Sequence, residues 1–221
     1  MATNKKARNE TDWSAVLAPL MRKYKGRKHP LNYESIYQLL VLVVLSARDS
    51  DDRINLISPA LFKAFPDMKS LSIATPEMVY PYVKTVRSYI KKTNWLIAIA
   101  QEVKEDKNIP LTMEGLVNLH GIGRKSANVI LREAKVKAEG VMVDLHVIRV
   151  AQRLGIATTS DAKKIELQMM EKLPQKDWSE AGMAISFLGR EICRPSNPHH
   201  KDCVMKESCQ FYQEQLKQKK G

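Results

Sequence analysis

Residues 119–131 read LHGIGRKSANVIL, a tight Gly-X-Gly turn running into the apolar spacing of a new helix. Lys125 then falls in the first turn of that helix, where the macrodipole is positive and a cation is disfavoured by a few tenths to about 1 kcal/mol. The dipole and the adjacent Arg124 both favour the neutral amine. A lysine is a nucleophile only while part of its population is uncharged, so a poor place for a cation is also an activating one. The plainer reading makes Lys125 a phosphate contact. Gly121 and Gly123 are expected to permit positive backbone dihedrals and close approach. Their N–H groups, with those opening the next helix, would cradle an anion such as a DNA phosphate, although many helical hairpins use glycine for geometry alone.

Two further stretches carry reactive residue types. In GVMVDLHVIRVAQRLG, Asp144 precedes an amphipathic helix and is well typed as its N-cap, a role worth about 1 kcal/mol. An acid there is also placed to face a cleft lined by the hairpin. The segment CRPSNPHHKDCVMKESC holds all three cysteines of the chain, Cys193, Cys203 and Cys209. An odd number does not make a disulfide framework, and the density of soft ligands points to metal.

The elements that must position these groups read as helices. DWSAVLAPLMRKY, YESIYQLLVLVVLSA, DDRINLISPALFKAF and TNWLIAIAQEVKED all carry apolar residues at three-to-four spacing, and little alternates with period two. The run LLVLVVL extends back through Ile36 to Tyr33 with helical spacing, which predicts a helix buried on most sides. Thr75-Pro76-Glu77 and Thr112 are helix starts, and Gly155 suits the C-cap after DLHVIRVAQRL. Single Pro and Gly residues between segments predict a compact array of about ten short helices. The ends, MATNKKARNE and QLKQKKG, read as solvated.

Composition sets the class of partner. With 44% apolar and 27% charged residues the chain is ordinary for a globular protein, yet 36 Lys plus Arg against 24 Asp plus Glu leave a net charge of +12. Such an excess suits a polyanion, with a merely basic soluble protein as the plain alternative. No apolar segment follows the basic N-terminus, so no secretion signal is expected. The longest apolar run is too short to cross a bilayer. A reducing, soluble compartment follows, the cytoplasm and its nucleoid if the source is bacterial.

LHGIGRKSANVIL resembles LPGVGRKTANVVL of the endonuclease III branch of the helix-hairpin-helix DNA glycosylase superfamily. VDLHVIRV is similar to that family's VDTHIFRV, LVLVVLSARDSD to its LLIAVLLSAQATD, and GREIC opens a segment like its C-terminal cluster. The likeness covers nearly the whole chain. It implies an all-α fold of two helical lobes: a six-helix barrel with the helix-hairpin-helix over residues 29–138, and a discontinuous lobe from 1–28 and 139–221. Lys125 and Asp144 would meet in the cleft between them. The family's lysine attacks C1′ of a damaged nucleotide, displaces the base and forms a Schiff base that permits β-elimination, with the aspartate assisting.

The implied partner is double-stranded DNA with damaged bases or abasic sites, bound by a monomer and not at a membrane. Gly121, Gly123 and Arg124 would hold its backbone. Arg48 and one of Ser88, Tyr89 or Ile90 would fill the gap left by a flipped nucleotide; the plainer reading of Arg48 is a salt bridge with Asp49 or Asp51. Arg48 stands where the family usually has glutamine, and an arginine can stack and donate but not accept. Lys125 separates the chain from the adenine glycosylase branch. In the family's C-x6-C-x2-C-x5-C run, which holds a 4Fe-4S cluster, the second cysteine position is His200. A Cys3His 4Fe-4S site, a Cys3His zinc site and loss of the metal are the three outcomes, with His199 a rival to His200. Rival functions are a non-catalytic phosphate clamp and a single-function glycosylase in which Lys125 only positions water.

Overall fold

The computed structural model describes residues 11–218. These are helical with no strand among them, and fall into two compact units: Arg27–Met142, and a discontinuous one ending at Gly26 and resuming at Val143. Among the described residues twelve α-helices and three 3-10 turns stand where about ten helices were expected, because short capped pieces such as Met68–Ser72 add to the count.

In the continuous unit the helices are α2 (Ile36–Leu45), α3 (Asp51–Ala64), α4 (Met68–Ser72), α5 (Pro76–Val83), α6 (Tyr89–Val103), α7 (Met113–Asn118) and α8 (Arg124–Glu133). Helix α2 is its axis: Tyr37 and every residue from Leu39 to Leu45 are buried, and α3, α6 and α8 pack around it. A helix that is apolar all round must be enclosed, and each buried leucine contributes roughly 1.5–3 kcal/mol. The helix begins at Ile36 and not at Tyr33, because the Ser35 side chain accepts the Gln38 N–H and caps it. Tyr33 instead hydrogen-bonds Glu133.

Thr112 caps α7 through its side chain, and Thr75 stands before Pro76 at the start of α5. Helix α6 differs from expectation, starting at Tyr89 behind a left-handed Ser88, so that Thr93 is buried inside the helix. No periodicity marks that start, since Lys91 and Lys92 interrupt the apolar pattern.

The discontinuous unit contains α1 (Trp13–Lys23), α9 (Leu145–Leu154), α10 (Ala162–Lys172), α11 (Gln175–Glu191) and α12 (Gln210–Gln218). Helices α1 and α9 pack on α11, with Leu17, Leu20, Val147, Val150, Ile185 and Phe187 buried between them. Gly155, left-handed at φ +89°, ends α9 as its C-cap. Of the stretches expected to fray, residues 1–10 and 219–221 lie outside the described residues, whereas Gln215–Gln218 belong to α12. No helix among the described residues is long and apolar enough to cross a membrane.

Candidate active site

The hairpin lies between α7 and α8, in the continuous unit. Gly121 takes φ +76°, and a Cβ added to it would stand 2.5 Å from Cε3 of Trp95 on α6. Both the left-handed backbone and the indole therefore demand glycine there. Trp95 is itself covered by Lys91, whose Nζ lies 4.8 Å from the ring centroid.

Gly123 corrects the expectation. Its φ of −99° is open to any residue, and a Cβ would meet nothing within 4 Å. Nothing in the chain requires glycine at 123, because the backbone has already turned at Gly121. What Gly123 leaves is open space before α8 and an N-terminus with no side-chain cap. A helix N-terminus beneath a clear approach suits an anion.

Arg124 is exposed at the first position of α8 and Lys125 is half-buried at the second. Lys125 thus stands beside Arg124 in the first turn of α8, at the end where the dipole is positive, while Arg132 lies in the last turn.

Asp144 is the N-cap of α9. Its Oδ1 accepts the Val147 N–H at 2.8 Å and its Oδ2 accepts the Ser186 hydroxyl at 2.6 Å. Arg190 approaches Oδ2 at 3.7 Å and also donates to the Ser186 oxygen at 3.4 Å. Sequence reasoning missed Ser186 and Arg190. They lie four apart on one face of α11, and only the packing of α11 on α9 turns that face towards an aspartate. Beside them burial lowers the pKa of His146 below its ordinary 6.5, Asp144 opposing the shift and Arg190 and Arg149 adding to it.

Arg48 is exposed between α2 and α3 with φ +58°. Asp49, one suggested partner for it, pairs with Arg53 at 3.4 Å. Ile90, in the first turn of α6, is 52% exposed.

The cysteine segment is held by two arginines of α9. Arg149 donates to the carbonyls of Gly189 and Cys193, and Arg153 to those of Arg194 and Pro195 while covering the Phe211 ring at 4.5 Å. Cys193, Cys203, Cys209 and both His199 and His200 line one cavity. Burial raises the thiol pKa of Cys203 and Cys209, and nearby cysteines add to the rise. His200 stacks on Tyr212 with ring centroids 4.4 Å apart, and its Nε2 is buried without a hydrogen-bond partner. A buried polar atom left unmatched is costly, and a metal would satisfy it. His199 is exposed. Among the described residues no three His, Cys, Asp or Glu side chains are grouped as a single metal ion would need.

A family model described as the HhH-GPD superfamily base excision DNA repair protein matches residues 41–175, more than half of the chain. The chain belongs to that superfamily. Among curated relatives of this member, endonuclease III of Synechocystis sp. is 33% identical over 196 residues, covering 88% of this chain and 90% of its own. Endonuclease III of Rickettsia prowazekii is 32% identical over 184 residues, covering 82% and 86%.

Solved structures agree on the fold. A trapped endonuclease III–DNA covalent intermediate superposes with a TM-score of 0.82 at 23% identity, covering 95% of this chain and all of its own. A thermostable thymine-DNA glycosylase gives a TM-score of 0.76 at 16% identity, covering 91% and 95%. The HhH-GPD superfamily match includes the hairpin, Lys125 and Asp144 but stops before the cysteine segment.

Proposed function

We propose that this chain is a bifunctional DNA glycosylase and abasic-site lyase of base excision repair, acting on oxidised pyrimidines in double-stranded DNA as a monomer, in the cytoplasm and its nucleoid if the source is bacterial. The observation that carries the reading is Lys125 in the first turn of α8, directly after the open space at Gly123. A phosphate held by the N–H groups there needs no lysine, whereas covalent attack on C1′ needs an amine. The endonuclease III relatives support the assignment.

In this mechanism the lesion is flipped out of the stack, at a cost of a few kcal/mol that damaged pairing partly relieves. Gly121, Gly123 and Arg124 hold the backbone, while Arg48 and Ile90 occupy the gap. The Lys125 Nζ forms a bond to C1′ as the bond from C1′ to the base breaks, and the base leaves with a proton. The sugar ring opens as the C1′–O4′ bond breaks, O4′ taking a proton from water, and leaves a protonated imine between Lys125 and C1′. Loss of a C2′ proton then expels the 3′ phosphate, and water releases the lysine. Asp144 stabilises positive charge while the glycosidic bond breaks.

Cys193, His200, Cys203 and Cys209 form the donor set for a 4Fe-4S cluster. Each ligand of such a cluster binds a different iron, so its donors need not meet at one point as those of a single zinc ion must. The cavity they share and the unmatched Nε2 of His200 support this reading. The group, when bound, ties the tail after α11 into one piece.

Borohydride reduction during reaction with abasic or thymine-glycol duplex tests the nucleophile. A covalent complex is expected for the native chain and none for Lys125→Gln, with DNA affinity largely kept. Cleavage of abasic DNA by Lys125→Gln at the native rate refutes the assignment. Binding without trapping by the native chain would leave a phosphate clamp, and base release without strand cleavage a single-function glycosylase.

A further inference from the structure

Two neighbouring loops of the continuous unit each carry a residue in the left-handed region. Arg48, after α2, and Ser88, before α6, both have φ +58°. For residues other than glycine this conformation costs roughly 1–2 kcal/mol, and it persists only where surrounding structure enforces it. Both are exposed, as is Ile90.

Two nearly buried charged side chains do the enforcing. The Asp49 side chain is 4% exposed. Its Oδ1 accepts the Ser50 N–H at 2.9 Å, and its Oδ2 reaches across to accept the Arg87 N–H at 2.9 Å. Lys92, 3% exposed, donates from Nζ to the carbonyls of Leu45 at 2.7 Å and Ala47 at 2.8 Å.

Each strained residue is therefore fixed at its flank from the other side: Ala47 beside Arg48 by Lys92 from the first turns of α6, and Arg87 beside Ser88 by Asp49. Burial opposes ionisation of Asp49, but the two N–H donors, Arg53 and Lys92 outweigh it and its pKa stays below the ordinary value. Capping of α2 would account for the bond from Lys92 to Leu45. It does not account for the second carboxylate oxygen of Asp49 reaching the Arg87 amide across the gap between the loops.

We propose that Asp49 and Lys92 are positioning residues that lock the two loops back to back, so that Arg48 and Ile90 meet the duplex already in the form that fills the gap beside an everted nucleotide. The inference rests on the glycosylase and lyase reading above. A wedge must displace stacked bases, and loops that had to be ordered at that moment would add their own cost to the unstacking.

The test uses the full chain and one oligonucleotide with an abasic site, presented as duplex and as single strand, in single-turnover trapping at saturating protein. Only the duplex needs a wedge. Asp49→Ala is expected to slow the duplex reaction about tenfold or more and the single-strand reaction less than about twofold. Lys92→Met should behave likewise, and Asp49→Asn, which keeps the side-chain size, serves if the alanine variant does not fold. Equal losses on both substrates, or no loss on the duplex, overturn the proposal. A 2-aminopurine beside the lesion reports eversion independently of chemistry, and its fluorescence response should weaken in the same variants. Absence of trapping by the native chain on both substrates would instead sink the lyase reading, with the fluorescence arm still deciding the role of Asp49 and Lys92.

Discussion

Replacing the hairpin glycines one at a time separates the turn from the cradle. Gly121→Ala puts a Cβ on a residue at φ +76°, 2.5 Å from Cε3 and 3.0 Å from Cζ3 of Trp95. The left-handed backbone costs about 1–2 kcal/mol and displacement of the packed ring about 1–3, so roughly 2–5 kcal/mol of stability should be lost. Gly123→Ala meets no atom and keeps φ −99°. Its weaker N-cap costs up to about 1 kcal/mol, offset by about 0.4–1 kcal/mol from the stiffer unfolded chain, for a net change near zero. The same methyl nevertheless occupies the space a phosphate would enter. DNA affinity should fall about tenfold, equivalent to about 1.4 kcal/mol. Urea unfolding measures the first quantity, and fluorescence anisotropy on a duplex with a tetrahydrofuran abasic analogue, at fixed salt, the second. Gly123→Ala that binds as tightly as the native chain would refute the cradle and leave the glycines as turn geometry.

Other perturbations address the remaining groups. Asp144→Asn keeps an acceptor for Val147 but loses the charge facing Arg190; stability should fall by about 1 kcal/mol and trapping should slow by about tenfold or more. A loss of trapping no larger than the loss of folded protein would make Asp144 a cap alone. His200→Ala should lower iron per chain and visible absorption by about half or more while His199→Ala leaves both unchanged. Zinc in place of iron in the native chain would overturn the cluster. His146 is harder to charge when folded than when unfolded, so the unfolded chain takes up the proton first. Stability should be full above pH 6.5, the ordinary value, and decline as pH falls below it. Urea midpoints at about pH 7.5 and 5.5 should separate more in the native chain than in His146→Gln.

Much of the site was legible because its signals are local. The caps at Thr112 and Asp144 and the left-handed turn at Gly155 involve partners within about four residues. The place of Lys125 in the first turn of α8 follows equally from the short GIG turn before it. The two glycines, by contrast, look alike in the string. Only the arrival of Trp95 from another helix shows that Gly121 is required by packing and that Gly123 leaves an opening.

The sequence by itself determined the helical architecture, the family, and the pairing of a hairpin with a lysine at a helix start, since periodicity, capping and turn chemistry act within a few residues. The tertiary structure decided what those residues meet. It brought Ser186 and Arg190 to Asp144, turned Asp49 and Lys92 inward to tie two loops, and buried the Nε2 of a half-buried His200 while leaving His199 exposed. Those outcomes depend on contacts between segments far apart in the chain, and a hydrogen-bond donor has no partner until folding delivers one.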